Sequence, residues 1–386
     1  MKSSRRHFLT SGLTGLATAS LTGMTGTIID NRSFSAQKKE SKHFIPTVLH
    51  QTDLFHPHED PDDHYDLAVL FALACSGDID LAGILLDYPV TSRHAGDSGI
   101  ISVAQMNRLC GLAVPAVVGT KFKQKTPDDQ LVHASKNETA AIRFIHKILR
   151  ESKTPVRFKC GSSAPDIAVA ALRDPELFRK KCDAVYVNCW SAFPNPARPE
   201  EQEYNVSINR AGQAALFNHL PCQVNWFPCW NQTLDWKSGE YGTYFQVQNR
   251  DVLKGVSVGF RYYLHYMYSK SNDFQWMRKM EVGPTEVQWE AILSGQRALW
   301  ATPSLLMIAG KVVTRDGQLV SQNEIADRDA LYRLDNIEVH ADEKGNIKWK
   351  KSESPTRRKI FHVLDVEKYP SAMAIAINTL FRSLGK

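Results

Sequence analysis

Between His50 and Asp66 the sequence reads HQTDLFHPHEDPDDHYD, with acids at 53, 59, 60, 62, 63 and 66 and histidines at 50, 56, 58 and 64. Three kinds of chemistry suit that density. Asp53, Asp62 and Asp63 are hard-cation ligands by type: calcium takes about six to eight oxygens, and a strand-end Asp plus an Asp-Asp pair opening the next helix can converge on it. An ion held there orients and acidifies a water, and a neighbouring carboxylate takes the proton. His56-Pro57-His58 instead offers two imidazoles of the kind that bind zinc or nickel. That chemistry needs more histidines at later strand ends, and the segments KCGSS, NCWSAF and FPCWNQ hold none. The structural alternative is that Asp62, Asp63 and Asp66 simply open a helix, where acids cap free N–H groups and suit the positive dipole end. It leaves Asp53, nine residues upstream of Asp62, without a purpose.

The elements that must position these residues alternate along the chain. IPTVLH is strand-like, and YDLAVLFALACSG recurs with helical spacing and ends at Gly77. IDLAGILLDY, VPAVVG, PVRFKCG, DAVYVNCW and PCQVNWF are further apolar strands, separated by GIISVAQMNRLCG, NETAAIRFIHKILRES, PDIAVAALRDPELFRK and NRAGQAALFNHL. Near-continuous apolar strands between amphipathic helices predict an α/β fold, a doubly wound and mostly parallel sheet with helices on both faces. Residues 249–310 read as mostly helical, IEVHADEKGNIKWKK as a hairpin turning at Gly345-Asn346, and PSAMAIAINTLFRSLG as a closing helix. In such sheets ligands bind at the carboxyl ends of the strands, which is where His50 to Asp63 lies.

The N-terminus reads as an address. Arg5-Arg6 before Phe8-Leu9 looks like a twin-arginine export signal, and the apolar run after it is too short and too rich in Gly, Ser and Thr for a stable membrane span. Small residues around Ser33 to Ala36 suit cleavage, so residues 1–36 are expected to be a leader and 37–386 a single exported, extracytoplasmic domain. A charge of +6, from 47 basic and 41 acidic residues, is too mild and scattered to predict nucleic-acid binding. Seven cysteines form no C-x-x-C pair; an oxidising compartment permits disulfides, the odd count leaves a thiol over, and no essential cysteine chemistry is expected.

Four segments, in order, resemble the inosine-uridine-type nucleoside hydrolases: TDLFHPHEDPDDHYDLAVLFAL, GSSAPDIAVAALRDPELFRKKCDAVYV, EQEYNVSINRAGQAALF and HVLDVEKYPSAMAIAINTLF. The likeness runs from about Phe44 to Leu384. It implies hydrolysis of an N-ribosidic bond in a pocket floored by Ca2+ or another divalent cation. Asp53 would be both metal ligand and general base, Asp63 a metal ligand, and Pro165 the source of a backbone carbonyl. Asp62, Glu203 and Asn205 would bind sugar hydroxyls, with Asp87 placed to do the same. The substrate would be a small nucleoside or other ribosyl compound, and a homo-oligomer is one option the resemblance carries.

Departures from the family's pattern shape the alternatives. Gln51 stands where its first acid is expected, and the loop to Asp62 is longer. Asn188, Cys189 and Trp190 replace glycines, making a bulkier wall in which Trp190 is placed to stack on a flat base. Phe193, Trp226, Phe227 and Trp230 fall nearby, either at the pocket mouth or in the core. The late His-Asp pair has no counterpart: one register puts it near Arg297-Ala298, another brings Glu281, Glu286 or Glu290 close. Gln51 and the missing pair favour one rival to nucleoside hydrolysis, a ribose- or glycan-binding protein with little or no catalysis; a third possibility is hydrolysis of another ribosyl or glycosyl bond by the same metal-water chemistry.

Overall fold

The computed structural model of the protein describes residues 45–58, 60–89, 96–163, 165–326 and 328–386. The expected leader, with Arg5-Arg6, lies outside the described residues. All the described residues belong to one compact unit spanning residues 44–386.

Nine strands form the central sheet: β1 Thr47–Thr52, β2 Asp80–Leu86, β3 Ala116–Val118, β4 Val156–Cys160, β5 Cys182–Asn188, β6 Gln223–Phe227, β7 Tyr332–Ala341, β8 Ile347–Lys351 and β9 Arg358–Val363. Their spatial order is β8-β7-β9-β6-β5-β4-β1-β2-β3. From β3 to β9 every neighbouring pair is parallel, while β7 runs antiparallel to both β9 and β8. The alternation of apolar strands and helices thus gives the parallel sheet it predicts.

Period-two alternation then assigns each strand residue to one of two cores. Val48, Ile84, Leu86 and Tyr186 pack with the helices Asp62–Cys75, Thr302–Ile308 and Tyr369–Phe381. Leu49, Leu85, Phe158 and Val185 pack on the other face with Ala140–Glu151, Pro165–Arg173 and Arg210–Asn218. The helix Asp62–Cys75 is buried continuously from His64 to Leu73, as expected of a helix apolar all round and enclosed by the sheet and other helices. Residues 249–310 hold five helices, as their pattern predicts, and also a strand, Gln296–Leu299, paired antiparallel with Phe245–Gln248. The hairpin turns at Gly345, whose φ of +87° explains the glycine.

The position of β1 matters most for function. The chain winds outward to β2 and β3, then crosses back to place β4 on the other side of β1. Connections leaving β1 and β4 therefore diverge to opposite faces, and a crevice opens between their carboxyl ends.

Candidate active site

A cavity of ≈ 790 Å³ occupies that crevice. Asp53 enters it from the end of β1 and Gly161 from the end of β4. The next helix begins at Asp62 and contributes Asp62, Asp63 and Asp66, whose spacing puts all three toward its first turn. Asp60, Glu203, Tyr204 and Asn205 add to the polar lining, together with Asn188, Gln202, Ser207 and Lys270, and Trp230, Trp236, Leu234 and Trp300 form an apolar wall.

The helix start has no side-chain cap of its own, since Pro61 occupies that place. Asp63 is instead fixed from β1, where the Thr52 hydroxyl donates to its Oδ1 at 2.9 Å. Burial first, then the charges of Asp87 and Asp62, pushes Asp53 well above the ordinary carboxylate range. Asp63 is raised by burial, Asp53 and Asp66, and Asp62 by burial, Asp60 and Asp63. Asp66 is raised by burial to about 7, against the pull of Lys159 and of the Thr302 hydroxyl, which donates to it at 3.2 Å. Lys159, fully buried on β4 with its ammonium donating to the Cys160 carbonyl at 3.0 Å, is the cation beneath this group.

Carboxylates that raise one another in this way make an all-oxygen donor set that suits a hard divalent ion. Asp53 and Asp63 both line the cavity, and the charge of Asp53 raises Asp63. Among the described residues no three of the His, Cys, Asp and Glu side chains stand close enough to bind an ion by themselves. The remaining oxygens would come from backbone carbonyls, water and ligand.

The EYN segment is organised around Glu203. Its carboxylate caps the helix Tyr204–Ile208, accepting from the Asn205 and Val206 N–H groups at 2.9 and 3.2 Å, and also from the Trp190 N–H at 3.2 Å. Asn205 donates to the Gly161 carbonyl at 3.3 Å, while its Oδ1 is buried without a partner beside the cavity. An unpaired buried acceptor in a polar cavity is a ready site for a ligand hydroxyl.

Three residues expected at the site do not line the cavity. Pro165 is buried at the start of the helix Pro165–Arg173, and Gly161 is what borders the cavity from that connection. Asp87 is buried behind the lining, where it accepts from Gln51 Nε2 at 2.9 Å, Ser162 Oγ at 2.9 Å, Ser163 N at 3.2 Å and Ser163 Oγ at 2.6 Å. This network explains Gln51: its amide is a neutral donor where an acid would press a second charge against Asp87. Trp190 sits at φ +54° with its ring edge-on to Phe217 and its Nε1–H donating to the Gly345 carbonyl at 2.9 Å. It braces Glu203 and the hairpin, leaving Trp230, Trp236 and Trp300 to face the cavity.

Removing Asp87 would orphan both serine hydroxyls and one N–H, and would leave the Gln51 amide only its longer bond to Asp166 Oδ2 at 3.4 Å. Asp87→Ala is expected to cost about 3 kcal/mol of stability, read by denaturant unfolding, and to lower the titration of Asp53, which the Asp87 charge raises. A variant as stable as the parent would mean that the network carries no load.

The remaining candidates resolve simply. Glu281, Glu286 and Glu290 are surface residues paired with Arg108, Arg261 and Arg250. Arg297 reaches toward Asp60 at 3.7 Å, and the same segment brings Trp300 and Ala301 to the cavity without a carboxylate. His56 stacks on Tyr266 and bonds the Ser271 carbonyl at 2.6 Å, while His58 stands edge-on to His64 and Tyr268. Both shape the loop, and neither borders the cavity. Trp226 and Phe227 are core residues. Sequence reading missed Trp236 and Trp300; Trp300 directly follows the strand Gln296–Leu299, while Trp236 lies in the loop after Trp230–Gln232 and carries no local signal.

No protein-family model matches the sequence, and neither does any curated protein. Solved structures do match. A plant nucleoside hydrolase is 14% identical, with 86% of this chain and 99% of that one covered and a TM-score of 0.50. The purine-preferring ribonucleoside hydrolase from Gardnerella vaginalis is 13% identical (87% and 99% covered, TM-score 0.47). The inosine-uridine preferring nucleoside hydrolase from Bacillus anthracis is 12% identical (88% and 100% covered, TM-score 0.45). With its switch-point crevice and mostly parallel nine-stranded sheet, the chain has the nucleoside hydrolase-like α/β fold.

Proposed function

We propose that this protein hydrolyses N-ribosidic bonds, with Asp53 as general base. The observation that carries the reading is the convergence of Asp53, Asp62, Asp63, Glu203 and Asn205 on one cavity at the switch point of the sheet. The nucleoside hydrolase fold of the plant enzyme supports it. Asp62, Glu203 and Asn205 grip the sugar hydroxyls, and the unpaired Asn205 Oδ1 accepts from one of them. Asp53 takes the proton of the water that attacks the anomeric carbon as the C–N bond breaks. Positive charge building on the sugar is stabilised by the surrounding carboxylates, which are fixed before the reaction begins. The departing base leaves toward the wall of Trp230, Trp236 and Trp300. A divalent cation held by Asp53 and Asp63 would supply Lewis-acid polarisation of the attacking water. Arg5-Arg6 adds the proposal that the enzyme works outside the cytoplasm on nucleosides met there.

The reading predicts reducing-sugar release from at least one member of a purine and pyrimidine nucleoside panel, abolished by chelator and restored by calcium. Because burial and neighbouring charge raise Asp53, kcat/KM should fall as pH drops through its titration. A bound divalent ion favours the ionised form, so this acid limb should move to lower pH as calcium is raised from sub-saturating to saturating concentration. A limb indifferent to calcium would separate Asp53 from the ion.

A second reading, a ribose- or glycan-binding protein, is favoured by one observation: the segment with Trp300 and Ala301 brings no carboxylate to the cavity. Ligand binding by calorimetry with no sugar release across the panel would establish it in place of the first.

A further inference from the structure

The cysteines, spaced without motif in the sequence, meet in pairs in the fold. Cys182 opens β5 and Cys222 immediately precedes β6. These strands are neighbours in parallel register, with Ala184 opposite Gln223, and the two sulfurs lie 3.2 Å apart. Closing to a bonded distance of about 2.04 Å requires a combined movement of roughly 1.2 Å. The second pair terminates two helices that pack on each other, Asp62–Cys75 and Ile100–Cys110, and each thiol shifts the titration of the other. Cys160, Cys189 and Cys229 have no such sulfur contact among the described residues; the Cys160 thiol points to the Ser162 carbonyl, and Cys229 borders the cavity.

We propose that the protein carries two disulfides, Cys182–Cys222 and Cys75–Cys110, with Cys160, Cys189 and Cys229 remaining thiols. The bonds form by exchange with an external disulfide such as oxidised glutathione. At the outer pair, the exposed Cys75 thiolate attacks one sulfur of the oxidant and releases a glutathione thiolate. The Cys110 thiolate then attacks the Cys75 sulfur of the mixed disulfide and releases the second glutathione. The protein loses two electrons and two thiol protons, and one glutathione disulfide becomes two thiols. The same sequence joins Cys182 to Cys222, which are buried and therefore react as the chain folds or opens locally.

Both pairs lie away from the candidate chemistry. Cys182 and Cys222 are at the amino ends of parallel strands whose carboxyl ends make the cavity. Cys75 is at the far end of a 14-residue helix that meets the cavity at Asp62, about 20 Å away at 1.5 Å per residue. The proposal is independent of the reaction assigned above, and activity is not its readout.

The test is a thiol count. The reduced, unfolded full-length chain is refolded in a glutathione redox buffer, denatured and alkylated without reduction. Three alkylated cysteines are expected, with seven after reduction, and peptide mapping should link 75 to 110 and 182 to 222. Cys75→Ser should leave four alkylated of six. The oxidised protein should melt several degrees above its reduced form, since the crosslinks restrict the unfolded chain. A count of seven, or links between other cysteines, overturns the proposal; a count of five overturns it for the pair that stays open. Exported protein, counted without refolding, gives a second measurement should refolding fail.

Discussion

Asp53→Asn is expected to lower kcat for ribosyl hydrolysis by about 10³-fold while leaving the protein at least as resistant to heat as the parent. The two halves of this expectation have one cause. Asp53 belongs to a group of carboxylates crowded at the ends of β1 and the following helix, where burial and mutual repulsion disfavour ionisation. Asn keeps the shape and one acceptor, removes a charge that its neighbours oppose, and cannot take a proton from water. General-base removal commonly costs about 10² to 10⁴ in rate. Steady-state kinetics and thermal unfolding on the same preparation decide the matter. Activity within tenfold of the parent would remove Asp53 from the base role. A large fall in melting temperature would mean that its main work is structural.

Glu203 gives the second large effect, and two substitutions separate its roles. Its carboxylate accepts from the backbone N–H groups of Trp190, Asn205 and Val206 while facing the cavity. Glu203→Ala strands those donors and uncaps the helix that carries Asn205. A loss of about 2–3 kcal/mol is expected, together with a fall in kcat/KM of about 100-fold. Glu203→Gln retains a carbonyl acceptor and should hold most of the stability. It removes the negative charge that would face a positively charged sugar, so its loss should appear mainly in kcat. Equal losses of stability in both variants would show that charge-assisted capping dominates. An unchanged kcat in Glu203→Gln would remove this carboxylate from transition-state stabilisation.

Much of the architecture is legible from periodicity. Apolar strands of five to seven residues between helical patterns leave a parallel sheet as the economical arrangement, and β1, β2, β4, β5 and β6 form where those runs occur. Asp53 and the Asp62-Asp63 pair could be singled out because a strand end and a helix start are local features. Their approach to one cavity follows from a connection of only nine residues. Asp87 shows where locality fails. It also ends a strand, yet Gln51, Ser162 and Ser163, remote in sequence, gather around it and turn it into an internal tie. Trp190 is a similar case: its ring bonds the Gly345 carbonyl and packs on Phe217, both remote in sequence.

The sequence by itself determined the alternation of elements, the strand-end position of Asp53 and the acids that open the following helix. These depend on side-chain period and chain proximity, which a linear string contains. The tertiary structure alone decided that β1 and β4 flank the switch point, that Gln51, Ser162 and Ser163 gather on Asp87, and which tryptophans form the cavity wall. It alone also decided that Cys182 meets Cys222. Each of these is a contact between residues far apart in the chain, fixed by strand order and packing, quantities that no local pattern encodes.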